Sequence, residues 1–267
     1  IQHDLQTIGV DCALRTDPDH FTTLAFVKQG VEGDRDFEFN AGAHDYLLPD
    51  QINPTDVNQA LALHYGSISL RTGVSREATM KAIQLAKEAG VACSCDPNWR
   101  PSLWADKEAG KAAMLDAISH ADILKISDVD LECIVPDESD YAVALEKAGF
   151  KGRMAAVTLG KDGSWYKAGD RSGRVASPTV QVVETTGAGD AFTAALLDGL
   201  INCQMDPNCL NDEDLRRLVQ RACAAGALTA TGYGAIPSLP DTKSIDAMLR
   251  MVSMGEKTAS NHTALAS

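Results

Sequence analysis

The most distinctive turn of this chain, Gly187-Ala188-Gly189, lacks the Gly-Lys-Ser/Thr of a Walker A loop and the third glycine of a dinucleotide fingerprint. P-loop nucleotidases and Rossmann dehydrogenases are therefore disfavoured. Basic residues are also short: 24 Lys and Arg stand against 37 Asp and Glu, for a formal charge of −13 and a pI near 4.8. Such a balance argues against nucleic acid or an anionic membrane as partner. No apolar run reaches 18 residues and no signal peptide opens the chain. None of the seven cysteines falls in a C-x-x-C pair, so a disulfide framework or zinc site is not expected. Cys93 and Cys95 lie in an apolar run where thiols act as small hydrophobes, and reduced, cytoplasmic surroundings fit best. The six histidines are scattered and read as structural or solvated.

What is present is a strand–helix rhythm in 267 residues, 45% of them apolar. Val91 to Cys95, Asp122 to Ile126 and Met154 to Leu159 read as strands, and Leu63 to Leu70 as another. Helices are expected over Arg76 to Ala89, Asp106 to His120, Ala188 to Asn202, Asp212 to Ala230 and Ser244 to Val252, with a hairpin through Ser164 to Lys167. This predicts a three-layer α/β/α fold around a mostly parallel sheet. Before it, Thr22 to Lys28 and Arg35 to Asn40 form β-rich runs about a turn at 29–34, suited to a small projecting sheet. Ile1 to Gly9 reads as a helix entering a strand.

Polar clusters follow the strands, where open parallel sheets place their ligands. Glu184-Thr185-Thr186-Gly187-Ala188-Gly189-Asp190 is the most informative, coming after the β-leaning run Thr179 to Val183. Its glycines let successive N–H groups point into one space, and the following helix adds its positive end. That corner suits a phosphate, and Asp190 stands where a carboxylate takes a proton from an alcohol beside it. Phosphoryl transfer to a hydroxyl is the chemistry these residues describe. Screening ATP from an acidic protein requires local cations or Mg²⁺.

T-T-G-A-G-D-A-F in full resembles the signature of the ribokinase-like (PfkB) carbohydrate kinases, most like the fructokinases. The resemblance implies that Gly187, Ala188 and Gly189 form an anion hole for the γ-phosphate and that Asp190 is the base. Thr158-Leu159-Gly160-Lys161-Asp162-Gly163 resembles the family's T-x-G-x-x-G loop, which makes Thr158, Gly160, Gly163 and Lys161 ATP-lining. Ser127-Asp128-Val129-Asp130 resembles N-x-x-E with both ends changed; it implies that Ser127 and Asp130 help place Mg²⁺ and phosphates, while Ser127 also suits a helix N-cap. Asp96-Pro97-Asn98-Trp99-Arg100 resembles the D-P-N-x-R of fructokinases and of 2-keto-3-deoxygluconate kinases, with Asn98 and Arg100 facing substrate. By the same likeness Glu184, Thr186, Thr229, Gly232, Gly234 and Ser238 supply oxygens to K⁺.

The family implies one kinase domain over 1–253, a β lid from about 20–48 that closes over the sugar and can pair subunits as a homodimer, and a polar, disordered tail at 254–267. It also implies a preceding strand, Gly-Gly segment and sugar-binding Asn, so several tens of residues (about 60–80) are expected before Ile1. Asn40 stands where fructokinase lids carry Tyr-Arg, which leaves other sugars open. A non-catalytic homologue acting as a binding protein is the reading from a different class, and the intact Asp190 argues against it.

Overall fold

The computed structural model describes residues 2–29 and 35–264. Its centre is a six-stranded sheet in the order β3 (Ala62–Gly66), β4 (Ala92–Asp96), β5 (Ile123–Ser127), β6 (Met154–Thr158), β7 (Ser164–Ala168) and β8 (Arg171–Val175). The first four are parallel; β6, β7 and β8 pair antiparallel. Helices on both faces explain why β4 is buried throughout and β5 and β6 nearly so. One apolar cluster packs α3 (Gly73–Ala89) and α4 (Lys107–Ser119) against one face, centred on Ile83, Met114, Leu124 and Ile126. The other packs α7 (Ala188–Leu200) and α8 (Asp212–Thr229) against the opposite face through Met154, Phe192, Leu196 and Val219.

Local sequence sets most of the boundaries. Gly90 ends α3 in the left-handed conformation at φ 72°, and the Asp106 side chain accepts from Glu108 and Ala109 N–H groups to start α4. Short helices α5 (Asp128–Ile134) and α6 (Tyr141–Lys147) connect β5 to β6, following α1 (Gln2–Thr7) and α2 (Pro54–Asn58) earlier in the chain. The strands β1 (Leu24–Gln29) and β2 (Arg35–Asn40) form a separate antiparallel pair, as their alternation suggests. The turn expected at 29–34 lies, beyond Gln29, outside the described residues.

Four local expectations change. The strand read over Leu63 to Leu70 stops at Gly66, because Ile68–Leu70 turn into a 3-10 helix. After Gly9, which takes a φ of 85°, the chain runs without a strand until Leu24. Thr179 to Val183 is loop rather than strand: Val182 is 57% exposed, and the Val183 and Glu184 N–H groups both donate to Ala230 O, at 2.8 and 3.1 Å. The last helix, α9 (Thr242–Ala264), continues through most of the polar tail, since Ala, Met, Glu and Lys are all good helix formers. Residues 265–267 lie outside the described residues. One pair also departs from the reduced-thiol expectation, for Cys203 and Cys209 are joined across the α7–α8 connection.

Candidate active site

The carboxyl ends of β4, β5 and β6 deliver three of the polar clusters to one rim. Asp96 ends β4, Ser127 ends β5 and Thr158 ends β6. The Gly187–Asp190 turn reaches the same rim from the loop side: a Cβ added at Gly189 would lie 2.8 Å from Lys125 Nζ on β5. Loss of water around the ring holds the His64 pKa below its ordinary value, opposed by the charges of Asp96 and Asp190 and reinforced by Lys125. All four groups therefore share one electrostatic neighbourhood.

Gly187 caps α7 at φ 83°, a conformation that strains a side chain, and Ala235 fits within 3.1 Å of the place a Cβ would take. Ala188 donates its N–H to Thr185 O at 3.1 Å, so it contributes geometry rather than an open donor. The Gly189 and Asp190 N–H groups have no acceptor among the described residues. They lie at the positive end of a 13-residue helix, which is the arrangement an anion requires. Asp190 is exposed to the rim, and the neighbouring Thr193 hydroxyl bonds back to Gly189 O at 3.0 Å. Gly226 lets α8 come close here, within 3.0 Å of Ala188 O for an added Cβ.

Ser127 does cap α5, accepting the Asp130 N–H at 3.0 Å. Burial pushes the Asp130 carboxyl above its ordinary pKa, with the Ser127 bond, Arg100 and Lys125 pulling it back. A half-buried carboxylate disfavoured in its ionised form suits a hard cation, so this position fits Mg²⁺, which takes one or two carboxylates and keeps its waters. Arg100 shares that neighbourhood and donates to Trp99 O at 3.0 Å. Asn98 takes a left-handed φ of 48°, and its carbonyl accepts from Ser67 at 3.2 Å. Trp99 and Trp104 stack at 6.2 Å and fill the space above Gly110, so they pack rather than form a sugar platform.

Within T-x-G-x-x-G, Gly163 has a structural duty: a Cβ there would stand 1.9 Å from Val175 O on β8. Gly160 is open and exposed, and Thr158 half-buried. The Lys161 side chain is 90% exposed and pairs only loosely with Asp162 at 3.4 Å. The second loop closes on the first. Glu184 accepts from Thr186 Oγ1 at 2.6 Å and from Gly234 N–H at 2.8 Å, while the Ser238 hydroxyl bonds Tyr233 O and crowds Gly232. Thr229 belongs to this set less directly, since its buried hydroxyl is donated to Ala225 O inside α8. Among the described residues no cluster of His, Cys, Asp and Glu is built to hold a metal without further ligands.

The sequence reading missed one group. Lys125 forms a buried ion pair with Asp96 of the D-P-N-x-R stretch, Nζ to Oδ2 at 2.9 Å. The available signal was a charged residue in the apolar run Ile123-Leu124-Lys125-Ile126, because a buried lysine requires a partner. A cavity of about 880 Å³ between α8 and α9, lined by Arg216, Arg221, Leu249 and Arg250, shares no residue with the rim.

The chain also resembles known proteins in sequence and in fold. The pfkB family carbohydrate kinase pattern matches residues 1–242. The chain is 42% identical over 225 residues to fructokinase-1 of Zea mays, covering 82% of this chain and 68% of that protein. It is similar to the crystal structure of a fructokinase with bound ATP from Xylella fastidiosa, with a TM-score of 0.84 and 25% identity over 94% of this chain and 80% of that one. A Vibrio cholerae O395 fructokinase structure holding fructose, ADP and calcium gives a TM-score of 0.81 at 30% identity, covering 93% and 80%. The chain belongs to the pfkB family of carbohydrate kinases, with a ribokinase-like α/β fold.

Proposed function

We propose that this pfkB-family kinase transfers the γ-phosphoryl group of ATP to a primary hydroxyl of fructose. An ATP-dependent, fructokinase-like sugar kinase is what its relatives make it; fructose itself and the residue roles below are our assignment. One observation carries it: Asp190 stands beside the two unpartnered N–H groups of Gly189 and Asp190 at the start of α7.

Asp190 takes the proton of the attacking hydroxyl as the sugar oxygen closes on phosphorus. Gly187, Ala188 and Gly189 shape the hole in which the open N–H groups meet charge spreading over the transferred oxygens. Arg100 and Asn98 orient the sugar or the γ-phosphate from the β4 side. Thr158, Gly160 and Gly163 lie along the nucleotide, with Lys161 at its solvent edge. Ser127 and Asp130 are the residues that would hold Mg²⁺, which would supply charge neutralisation of the phosphates. The Glu184 carboxylate accepts from the Thr186 hydroxyl and the Gly234 N–H and so ties the two loops together. With Thr186, Thr229, Gly232, Gly234 and Ser238, it suits K⁺ and would fix the turn before the anion hole. Leu24 and Phe26, 48% and 56% exposed on β1, support a lid that closes over the sugar or meets a second copy.

The test is ADP release with MgATP and, in turn, fructose, 2-keto-3-deoxygluconate, ribose and no sugar. Fructose-dependent release is expected. Release with another sugar alone would keep the mechanism and replace the substrate, and ATP binding without release for any sugar would favour a non-catalytic homologue.

A further inference from the structure

Lys125 occupies the middle of β5 with apolar residues on either side, and a lysine there needs a physical reason. It is 7% exposed between Leu124 and Ile126, both fully buried. Asp96 neutralises it, yet two apolar residues of similar volume would fill this space at lower cost in desolvation. The pair is therefore poorly explained by stability.

Two independent observations give it another purpose. Lys125 Nζ lies so close beneath the anion-hole turn that a Cβ on Gly189 would come within 2.8 Å of it. Gly189 has no positive φ, so a side chain there would press on the ammonium rather than strain the backbone. Moreover, an ammonium carries three donors, and Asp96 Oδ2 is its single hydrogen-bond acceptor among the described residues. Asp96 Oδ1 is likewise buried without a partner. A buried cation with unused donors thus lies under a turn whose own N–H groups are unused.

We propose that Lys125 is a catalytic residue of this kinase, its ammonium held by Asp96 and donating to a non-bridging oxygen of the transferring phosphoryl group. The inference rests on the phosphoryl-transfer reading above. In the reaction the sugar oxygen–phosphorus bond forms and the bond from phosphorus to the ADP oxygen breaks. The hydroxyl proton passes to Asp190, and Lys125 keeps all its protons throughout. Its contribution is charge already in place as negative charge spreads over the transferred oxygens, in a site where water does not screen it. Lys161, exposed at the solvent edge, has no such leverage.

Lys125→Met tests this beside the double variant Asp96→Asn/Lys125→Met, which leaves no unpaired buried charge and keeps the experiment readable if the single variant does not fold. Turnover, sugar KM and calorimetric binding of ATP and of ADP are measured for each. We expect kcat to fall about 10²–10³-fold in both, the range seen when one oxyanion donor is removed. ATP binding should weaken while ADP binding and sugar KM hold. Wild-type turnover in the double variant would overturn the proposal and reduce the pair to packing. So would ADP binding that falls in step with ATP. Wild-type protein inactive with every sugar would instead sink the kinase reading, a failure visible before any variant is assayed.

Discussion

The two sheets of this protein treat their side chains in opposite ways. In the six-stranded sheet, β4 is buried end to end, and even the ionic groups Asp96 on β4 and Lys125 on β5 are almost closed to solvent. In the two-stranded sheet, β1 presents Leu24 and Phe26 about half exposed. Large apolar groups held out in water signal a surface that is covered in some working state. Under the proposed function, position is fixed where charge would develop, and apolar surface is left open where the sugar would enter. A rigid rim can hold donors within tenths of an ångström, whereas a covering element has to move.

The sharpest way to break this contrast is to truncate one side chain in each sheet. Ile126→Ala, at a fully buried position of β5, should cost about 2–5 kcal/mol in urea unfolding. Phe26→Ala should stay within about 0.5 kcal/mol of wild type. Comparable losses at both sites would mean that the small sheet belongs to the same cooperative core. In kinetics the order reverses for Phe26→Ala, which should raise sugar KM several-fold with ATP KM unchanged. An unaltered sugar KM would remove β1 from the substrate side.

A smaller effect sharpens the rim itself. Because burial lifts the Asp130 pKa above its unfolded value, the folded state binds more protons, and stability is lost as pH rises and the carboxyl ionises. Asp130→Asn should therefore melt higher than wild type at pH 7 without Mg²⁺, and the gap should close below about pH 4, where the acid is protonated anyway. A variant less stable than wild type at neutral pH would show that the carboxylate serves the fold. The smallest effect concerns thiols. Burial pushes Cys93 up to about 11 and Cys223 to about 12, whereas Cys133 is exposed. A thiol reagent should label Cys133 in the native protein and reach the two buried thiols only after denaturation.

How much the sequence reveals follows from how far apart the partners lie. Helix and strand periods, the Gly90 stop, the Asp106 and Ser127 caps and the paired β1 and β2 are local signals, and each appears where the residues place it. Thr179 to Val183 misleads because β-branched residues describe a preference that only a neighbouring strand can realise, and here α8's exit supplies the hydrogen bonds instead. Lys125 and Asp96 are 29 residues apart and become one unit only when β4 and β5 lie side by side. The Gly-Ala-Gly-Asp turn could be read because its donors and its carboxylate are consecutive. What lies beneath it could not.

The most direct test of the account is turnover and ATP binding of Asp190→Ala beside wild type, with MgATP and the sugar that the wild type uses. The expected variant folds, binds ATP normally and loses roughly 10²–10⁴ in kcat, the share a general base supplies. A variant that turns over at the wild-type rate would contradict it, and the proton acceptor would have to be sought elsewhere on the rim.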